Sequence, residues 1–439
     1  MTYAEAVARL LALRGGEHAG MRPGLERIEA LLAALGRPEE RYRIVQVGGT
    51  NGKGSVAVML AAVLRAAGRR VGLYTSPHLV SFRERIRVDA APIPEDAVAD
   101  GVDALGTLVA RLDATMFETT TALALDHFAR EGVDDAVLEV GLGGRLDATT
   151  VGVPAATVLA RIDLDHAAVL GPTLAAVAEE KAAIVRGGAV ALAAAQTPEV
   201  TAIVERRARA AGVPLLLEGR DLHASLVQRD LDGQRIDCAG PGFALRDLHL
   251  GMLGSFQPSN ALLAVAAARQ LGADEAAIRV GLARARWPGR FQLARRREGW
   301  LVLDGAHNPG AARALAASLR DAFGDAAVTL VLAISRDKDA RAILAALAPC
   351  ARRLILTRSS SARSAAPEEL RRALPAPHPD VRVAASAEEA LAVAAAPGGT
   401  PILCVAGSLF LVGDVLRAAR GGDKPCCVEK GADSIEFLF

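Results

Sequence analysis

The chain has few cysteines, no excess of charge of either sign, and no apolar run long enough to cross a membrane. Each absence removes a class of protein. The five cysteines in 439 residues, Cys238, Cys350, Cys404, Cys426 and Cys427, are scattered and odd in number. They lack zinc-ligand spacing, which excludes a disulfide scaffold or zinc module and suits a reducing cytosol. Basic and acidic residues number 51 and 50, so no global field gathers nucleic acid or an anionic membrane. Clusters such as Arg206-Arg207 and Arg295-Arg296-Arg297 read as solvated faces. The N-terminus reads as an amphipathic helix carrying Glu5 and Arg9, not as the basic stub and apolar core of a signal peptide. Repeats and low-complexity tracts are missing apart from alanine richness. The expectation is a water-soluble, cytoplasmic monomer that takes small molecules and neither nucleic acid nor membrane.

What is present is an ordinary globular mix, 51% hydrophobic and 23% charged. The length allows two or three domains with large cores. The chain is organised around Val47-Gly48-Gly49-Thr50-Asn51-Gly52-Lys53-Gly54-Ser55. Residues 43–47 alternate into a β-branched end, as a strand does. Residues 56–67 form an Ala-rich apolar run of helical length, closed by Gly68. Strand, glycine loop and helix is the context in which a loop binds phosphate. Glycines let backbone N–H groups turn inward, the helix N-terminus adds partial positive charge, and Lys53 adds a full one. The strict pattern G-x-x-x-x-G-K-[ST] is missed, because Val47 replaces its first glycine and Gly54 separates Lys53 from Ser55.

Further strands are expected over 71–75, 136–140 and 157–162, alternating with helices at 3–14, 23–36, from Glu95, over 119–130, and after Gly171-Pro172-Thr173. This alternation argues a mostly parallel α/β sheet. Between 214 and 250 the pattern changes to short alternating strands, followed by helices from 258 and 274. Trp287-Pro288-Gly289-Arg290 breaks the pattern, and βα alternation restarts with strands at 300–303, 328–333, 353–357 and 401–405. The expected domains are therefore 1–286, 287–420 and a tail over 421–439 to which no function is assigned.

Five side chains are candidates for one site in the first domain: Lys53, Ser76, Glu139, His166 and Lys181. All fall just past strand ends or soon after them, where open α/β sheets bind ligands. A nucleoside triphosphate brings Mg²⁺, a hard ion that takes oxygen ligands. Glu139 supplies a carboxylate for it and Ser76 a hydroxyl, while His166 is a less expected ligand. Each has a plain alternative. Ser76-Pro77 makes a turn, Glu139 pairs with Arg145, His166 flanks a helix start, and Lys181 sits on the surface. Joint placement favours a site.

The segment Gly49-Thr50-Asn51-Gly52-Lys53 resembles the signature of Mur-type ATP-dependent amide ligases. Thr75-Ser76-Pro77-His78-Leu79, Arg83-Glu84-Arg85-Ile86 and the run from Leu138 to Thr149 narrow this to the folylpolyglutamate synthase/dihydrofolate synthase family. Asp165-His166, Leu170-Gly171-Pro172-Thr173, Glu180-Lys181-Ala182, Pro288-Gly289-Arg290-Phe291, Asp304-Gly305-Ala306-His307-Asn308-Pro309 and Asp337-Lys338-Asp339 agree. The resemblance spans about 20 to 417, in order.

It implies a P-loop-type ATPase domain with a mostly parallel sheet and a smaller, Rossmann-like C-terminal α/β domain. It implies ATP phosphates held by Thr50, Asn51, Gly52, Lys53, Gly54 and Ser55, with Asn260, Arg290 and Asp304 as further ATP contacts. Ser76 and Glu139 match ligands of one Mg²⁺, and His166 matches a ligand of a second. Lys181 matches a lysine carbamylated in the family. Phe117, Glu118, Leu146, Asp147 and Ala148 match positions lining a pterin pocket, and His307 lines the cleft. With Lys53, His166 and Lys181, His307 makes the implied catalytic set. The chain departs from the family before Asn260, where Phe256-Gln257 lacks a common histidine, at Thr150, and at Gly15-Gly16-Glu17-His18. The implied reaction joins a pterin-linked carboxylate to L-glutamate. Two rivals are a peptidoglycan-precursor ligase and a non-catalytic nucleotide-binding protein on the same scaffold.

Overall fold

The computed structural model describes residues 1–14, 22–296, 299–396, 400–421, 427–429 and 435–437, with backbone alone at 420–421, 427–429 and 435–437. Gly15-Gly16-Glu17-His18 lie outside the described residues. Two compact units emerge. The first comprises 1–228, 234–251 and 257–286, and the second 229–233, 252–256 and 287–439.

The first unit is built on β1 (Arg43–Gly48), β2 (Val71–Tyr74), β3 (Ile86–Val88), β4 (Ala91–Pro92), β5 (Asp135–Glu139), β6 (Ala156–Leu159), β7 (Val190–Ala193) and β8 (Leu215–Leu217). Their order in the sheet is β4-β3-β2-β5-β1-β6-β7-β8. From β2 to β8 every pairing is parallel, while β3 and β4 are antiparallel additions at one edge. Strands β5, β6 and β7 are buried along their whole length, as parallel strands covered on both faces must be. One buried cluster joins Ile28, Leu31, Leu123 and Phe128 to Ile44 and Leu138. Another joins Val177, Ile203 and Val204 to Leu159 and Ala191.

Two helix starts fall earlier than the apolar periodicity predicts. Helix Lys53–Ala66 begins directly after Gly52, because the glycine loop itself makes the turn into it. Helix Met116–Arg130 begins at Met116 because Thr115 and Glu118 form a capping box that satisfies the first N–H groups. Helices Gln257–Gln270 and Glu275–Arg284 both pack on Lys53–Ala66. The strands β9 (His223–Arg229), β10 (Gln234–Gly240) and β11 (Phe243–Leu250) form a separate three-stranded sheet, with β10 and β11 antiparallel.

In the second unit the strands are β12 (Gln292–Arg296), β13 (Gly299–Leu303), β14 (Val328–Leu332), β15 (Arg353–Leu356), β16 (Val381–Val383), β17 (Ile402–Ala406), β18 (Cys427–Glu429) and β19 (Ile435–Phe437). Their order is β16-β15-β14-β17-β13-β12-β19-β18. The run β16 to β13 is parallel, and β12 closes it as an antiparallel hairpin arm. The sheet core is formed by Val302, Leu330, Leu332, Leu354, Leu356 and Cys404 with Leu315 and Leu344 from the helices. The last two strands show that the expected tail contributes sheet edges.

Candidate active site

Strand β1 delivers the phosphate loop, and its neighbour β5 places Glu139 beside Val47 in register. The loop is braced from β6's continuation. Thr50 N–H and Asn51 N–H donate to Arg161 O at 2.8 and 3.1 Å. Thr50 Oγ1 donates to Asp163 O at 2.9 Å, and Asn51 Nδ2 donates to Asp163 Oδ2 at 3.0 Å. Gly52 has φ 98°, and a Cβ there would strike the Asn260 side chain. Only glycine fits both conditions. Asn260 Nδ2 donates to Gln257 Oε1 at 3.1 Å, and Gln257 Nε2 reaches Ser55 Oγ at 3.4 Å. The loop and the start of its helix are thus fastened by a helix some two hundred residues later.

Lys53 Nζ donates to Gly49 O and Thr50 O, both at 3.2 Å. Lys181, 3% exposed, donates to the same Gly49 carbonyl at 3.1 Å. Two ammonium groups therefore meet at one oxygen of the phosphate loop. Burial removes the surface-lysine reading of Lys181. Glu139, 4% exposed, accepts the Ser76 N–H at 3.1 Å, so two strand ends place a carboxylate and a hydroxyl residue together. Arg145, its sequence-level rival partner, pairs with Glu180 instead at 2.9 Å. His166 stands at the start of helix Ala167–Leu170 with φ 54°. Its ring is 35% exposed, with Nε2 at 3.9 Å from Asp165 Oδ2.

The expected acceptor residues have unequal duties. Asp147, 2% exposed, accepts N–H groups from Gly141 (3.1 Å), Leu142 (2.9 Å) and Thr149 (3.0 Å). Burial raises its pKa, and these bonds oppose the rise. It shapes the 141–149 loop, placing Leu146 and buried Ala148 beside it. Phe117 packs on Tyr74 with centroids 5.9 Å apart and lies against Gly141, where a Cβ would clash. Glu118 serves the fold. Arg27 Nε donates to its two oxygens at 2.9 and 3.1 Å, and Thr115 N–H donates to Oε2 at 2.8 Å. The Arg27–Glu118 pair is buried. Arg27→Ala is therefore expected to lower stability by about 3 kcal/mol, the scale for leaving one member of a buried pair uncompensated. Urea unfolding of the two proteins measures it.

Within the second unit, Asp304 accepts N–H groups from Phe291 at 2.7 Å and Ala306 at 2.8 Å. Burial raises its pKa and Arg290 draws it back. His307 Nδ1 lies 2.8 Å from Gly305 O. A carbonyl only accepts, so Nδ1 carries a proton. Asn308 caps helix Pro309–Phe323 through Ala311 N–H.

Asp163, Arg161 and Gln257 were missed by sequence reasoning. Asp163 carried a faint signal, since it stands two residues before Asp165-His166 past a strand end. Gln257 carried none beyond its place before Asn260. Among the described residues no helix is long and apolar enough to cross a membrane, and no three acidic, His or Cys side chains form a metal cluster.

Comparison with known proteins agrees with this geometry. Residues 47–268 match the Mur ligase middle domain and residues 289–409 the Mur ligase glutamate ligase domain. Folylpolyglutamate synthase of Lacticaseibacillus casei is 33% identical over 96% of this chain and 100% of its own length. A probable bifunctional folylpolyglutamate synthase/dihydropteroate synthase of Haloferax volcanii is 41% identical over 79% of this chain, which spans only 42% of that protein. The structure of E. coli FolC in complex with DHPP and ADP superposes with TM-score 0.85 at 31% identity, covering 96% of this chain and 98% of the other. A middle domain followed by a glutamate ligase domain defines the Mur ligase class. Within that class the chain belongs to the folylpolyglutamate synthase/dihydrofolate synthase family.

Proposed function

We propose that the chain joins L-glutamate to a pterin-linked carboxylate, dihydropteroate or a folate, at the expense of ATP. The observation that carries this reading is the convergence of Lys53 and Lys181 on Gly49 O, with Glu139 on the adjacent strand and Ser76 bonded to it. A carboxylate cannot expel O⁻, so its oxygen first attacks the γ-phosphorus of ATP, forming an acyl phosphate and releasing ADP. The neutral amine of glutamate then attacks the acyl carbon, loses its proton to solvent or a base, and phosphate leaves. Lys53 neutralises charge on the transferring phosphoryl group. Thr50, Asn51, Gly52, Gly54 and Ser55 position the phosphates, and Asn260 packs against Gly52 in that loop.

The residues present fit Mg²⁺. Glu139 and Ser76 are oxygen donors, and this ion takes one or two protein ligands while the phosphates and waters complete its shell. When bound, Mg²⁺ supplies charge neutralisation at the phosphates. His166, next to Asp165, is the proposed ligand for a second ion. Phe117, Leu146, Asp147 and Ala148 are proposed to line the acceptor pocket, Glu118 supporting it from behind. The proposed domains are 1–286 for ATP and acceptor, and 287–420 for glutamate.

Arg290 and Asp304 are proposed nucleotide contacts and His307 a glutamate-side contact. Arg290→Ala is expected to weaken nucleotide binding about tenfold, the scale of one lost charge-assisted hydrogen bond. Equal ATP affinities of the two proteins by isothermal titration would refute the assignment. The function itself is tested by following ADP release and glutamate incorporation with dihydropteroate, with a reduced folate, and with a muramyl acceptor. Turnover with either pterin acceptor is expected. Turnover with the muramyl compound alone, or none with any carboxylate, rejects the reading.

A further inference from the structure

A cavity of about 350 Å³ opens among Leu25 and Glu29, Arg37 and Glu39, Arg145 (paired with Glu180), residues 150–152, Ala183, Arg186 and Arg207. None of the residues proposed above for nucleotide, metal or acceptor lines it. Its charges are incompletely matched. Arg186 donates to neutral acceptors: Nη1 to Gln46 Oε1 at 2.6 Å and Ile184 O at 3.1 Å, and Nη2 to Val151 O at 2.9 Å. Among the described residues no carboxylate pairs with it, and burial pulls its pKa down to about 10. Arg207 likewise spends its guanidinium on two carbonyls, Val185 O at 3.2 Å and Ala183 O at 3.4 Å. In the same lining Glu39 is 5% exposed. Its Oε1 meets Arg37 Nη1 at 3.4 Å, while Oε2 is buried with no hydrogen-bond partner among the described residues. A buried carboxyl oxygen without a hydrogen-bond partner is costly to keep. The backbone beside it is close, since a Cβ at Gly152 would lie 3.7 Å from Glu39 Cγ, one residue from the Val151 carbonyl that holds Arg186.

We propose that this cavity binds a small organic anion that also carries a hydroxyl or ammonium donor. The anionic end meets Arg186 and Arg207, and the donor satisfies Glu39 Oε2. The volume lies within the usual range for small-molecule sites, roughly 300–1,000 Å³. Carboxylates and phosphate monoesters share this chemistry. The occupant would be linked to the acceptor loop by a hydrogen-bond chain. Arg186 holds Gln46, Gln46 Nε2 donates to Thr149 Oγ1 at 3.1 Å and Thr150 Oγ1 at 2.8 Å, and Thr149 N–H donates to Asp147.

The test is isothermal titration of the full chain with L-malate and with sn-glycerol 3-phosphate. It is run on the wild type, Arg207→Gln, Glu39→Gln and Lys53→Ala. At least one probe is expected to bind the wild type with a Kd of about 1 mM or tighter. Arg207→Gln and Glu39→Gln are each expected to weaken it about tenfold, and Lys53→Ala to leave it unchanged. Malate alone assigns the carboxylate source, glycerol phosphate alone the phosphate ester, and both the shared anion. No binding of either probe overturns the proposal. So does binding that Arg207→Gln leaves intact, or that Lys53→Ala abolishes, since the phosphate loop would then be the site. Arg207 is exposed, so its variant retains the fold and carries the test should Glu39→Gln fail to fold.

Discussion

Lys53→Ala is expected to cut kcat/KM for ADP formation at least about a hundredfold, the scale of losing one preorganised electrostatic stabiliser. The fold should survive. The Lys53 ammonium rests on the Gly49 and Thr50 carbonyls of its own loop, while the loop's shape comes from Arg161, Asp163 and Asn260. Circular dichroism and the thermal midpoint should therefore match wild type while single-turnover ADP release collapses. Undiminished turnover would show that charge at this loop is supplied elsewhere and would remove the phosphate-loop assignment.

Lys181→Ala is expected to be nearly inactive and to regain part of its activity with added acetate or another short carboxylate. The argument is electrostatic. A buried lysine that shares an acceptor with Lys53, beside the proposed Mg²⁺ site, is expected to react as its neutral amine, because like charges repel and burial penalises charge. The neutral amine can add CO₂, forming an N–C bond and releasing one proton, and the cation becomes a carboxylate-like anion. Such an anion would serve the metal or fix His166, as carboxylates behind metal ligands do. Wild-type activity should accordingly fall in CO₂-depleted buffer and return with bicarbonate. An active, metal-loaded enzyme whose Lys181 proves unmodified by mass spectrometry and crystallography would end the idea. Loss of activity without rescue would mark Lys181 as a brace for Gly49.

The parallel sheet was legible because its strands are short apolar runs closed by polar clusters, and burial on both faces makes that pattern uniform. The placement of Lys53, Ser76 and Glu139 was legible because each stands at or soon after the point where such a run stops. The braces were not. Asp163 and Gln257 act through a backbone loop from distant positions, and no periodicity encodes that. Glu118 has a duty that its sequence position did not reveal, since it pairs with Arg27 from a distant helix. One compositional signal was available and unused. Only five of the 51 basic residues are lysines, and two of them, Lys53 and Lys181, end on one carbonyl. In a chain that otherwise uses arginine for positive charge, a compact ammonium marks places where a planar guanidinium would not serve.

The fastening of Gly52 and Ser55 by Asn260 and Gln257 has a consequence for how the protein comes into being. During synthesis the glycine loop emerges early, but its shape waits for a helix that follows the three-stranded sheet. A nascent or truncated chain ending before residue 257 would carry every loop residue proposed to position the phosphates and still lack the side chains that pack on Gly52 and bond Ser55. Nucleotide affinity should therefore arise late and abruptly with chain length, so that ATP is not held by fragments with no means of using it.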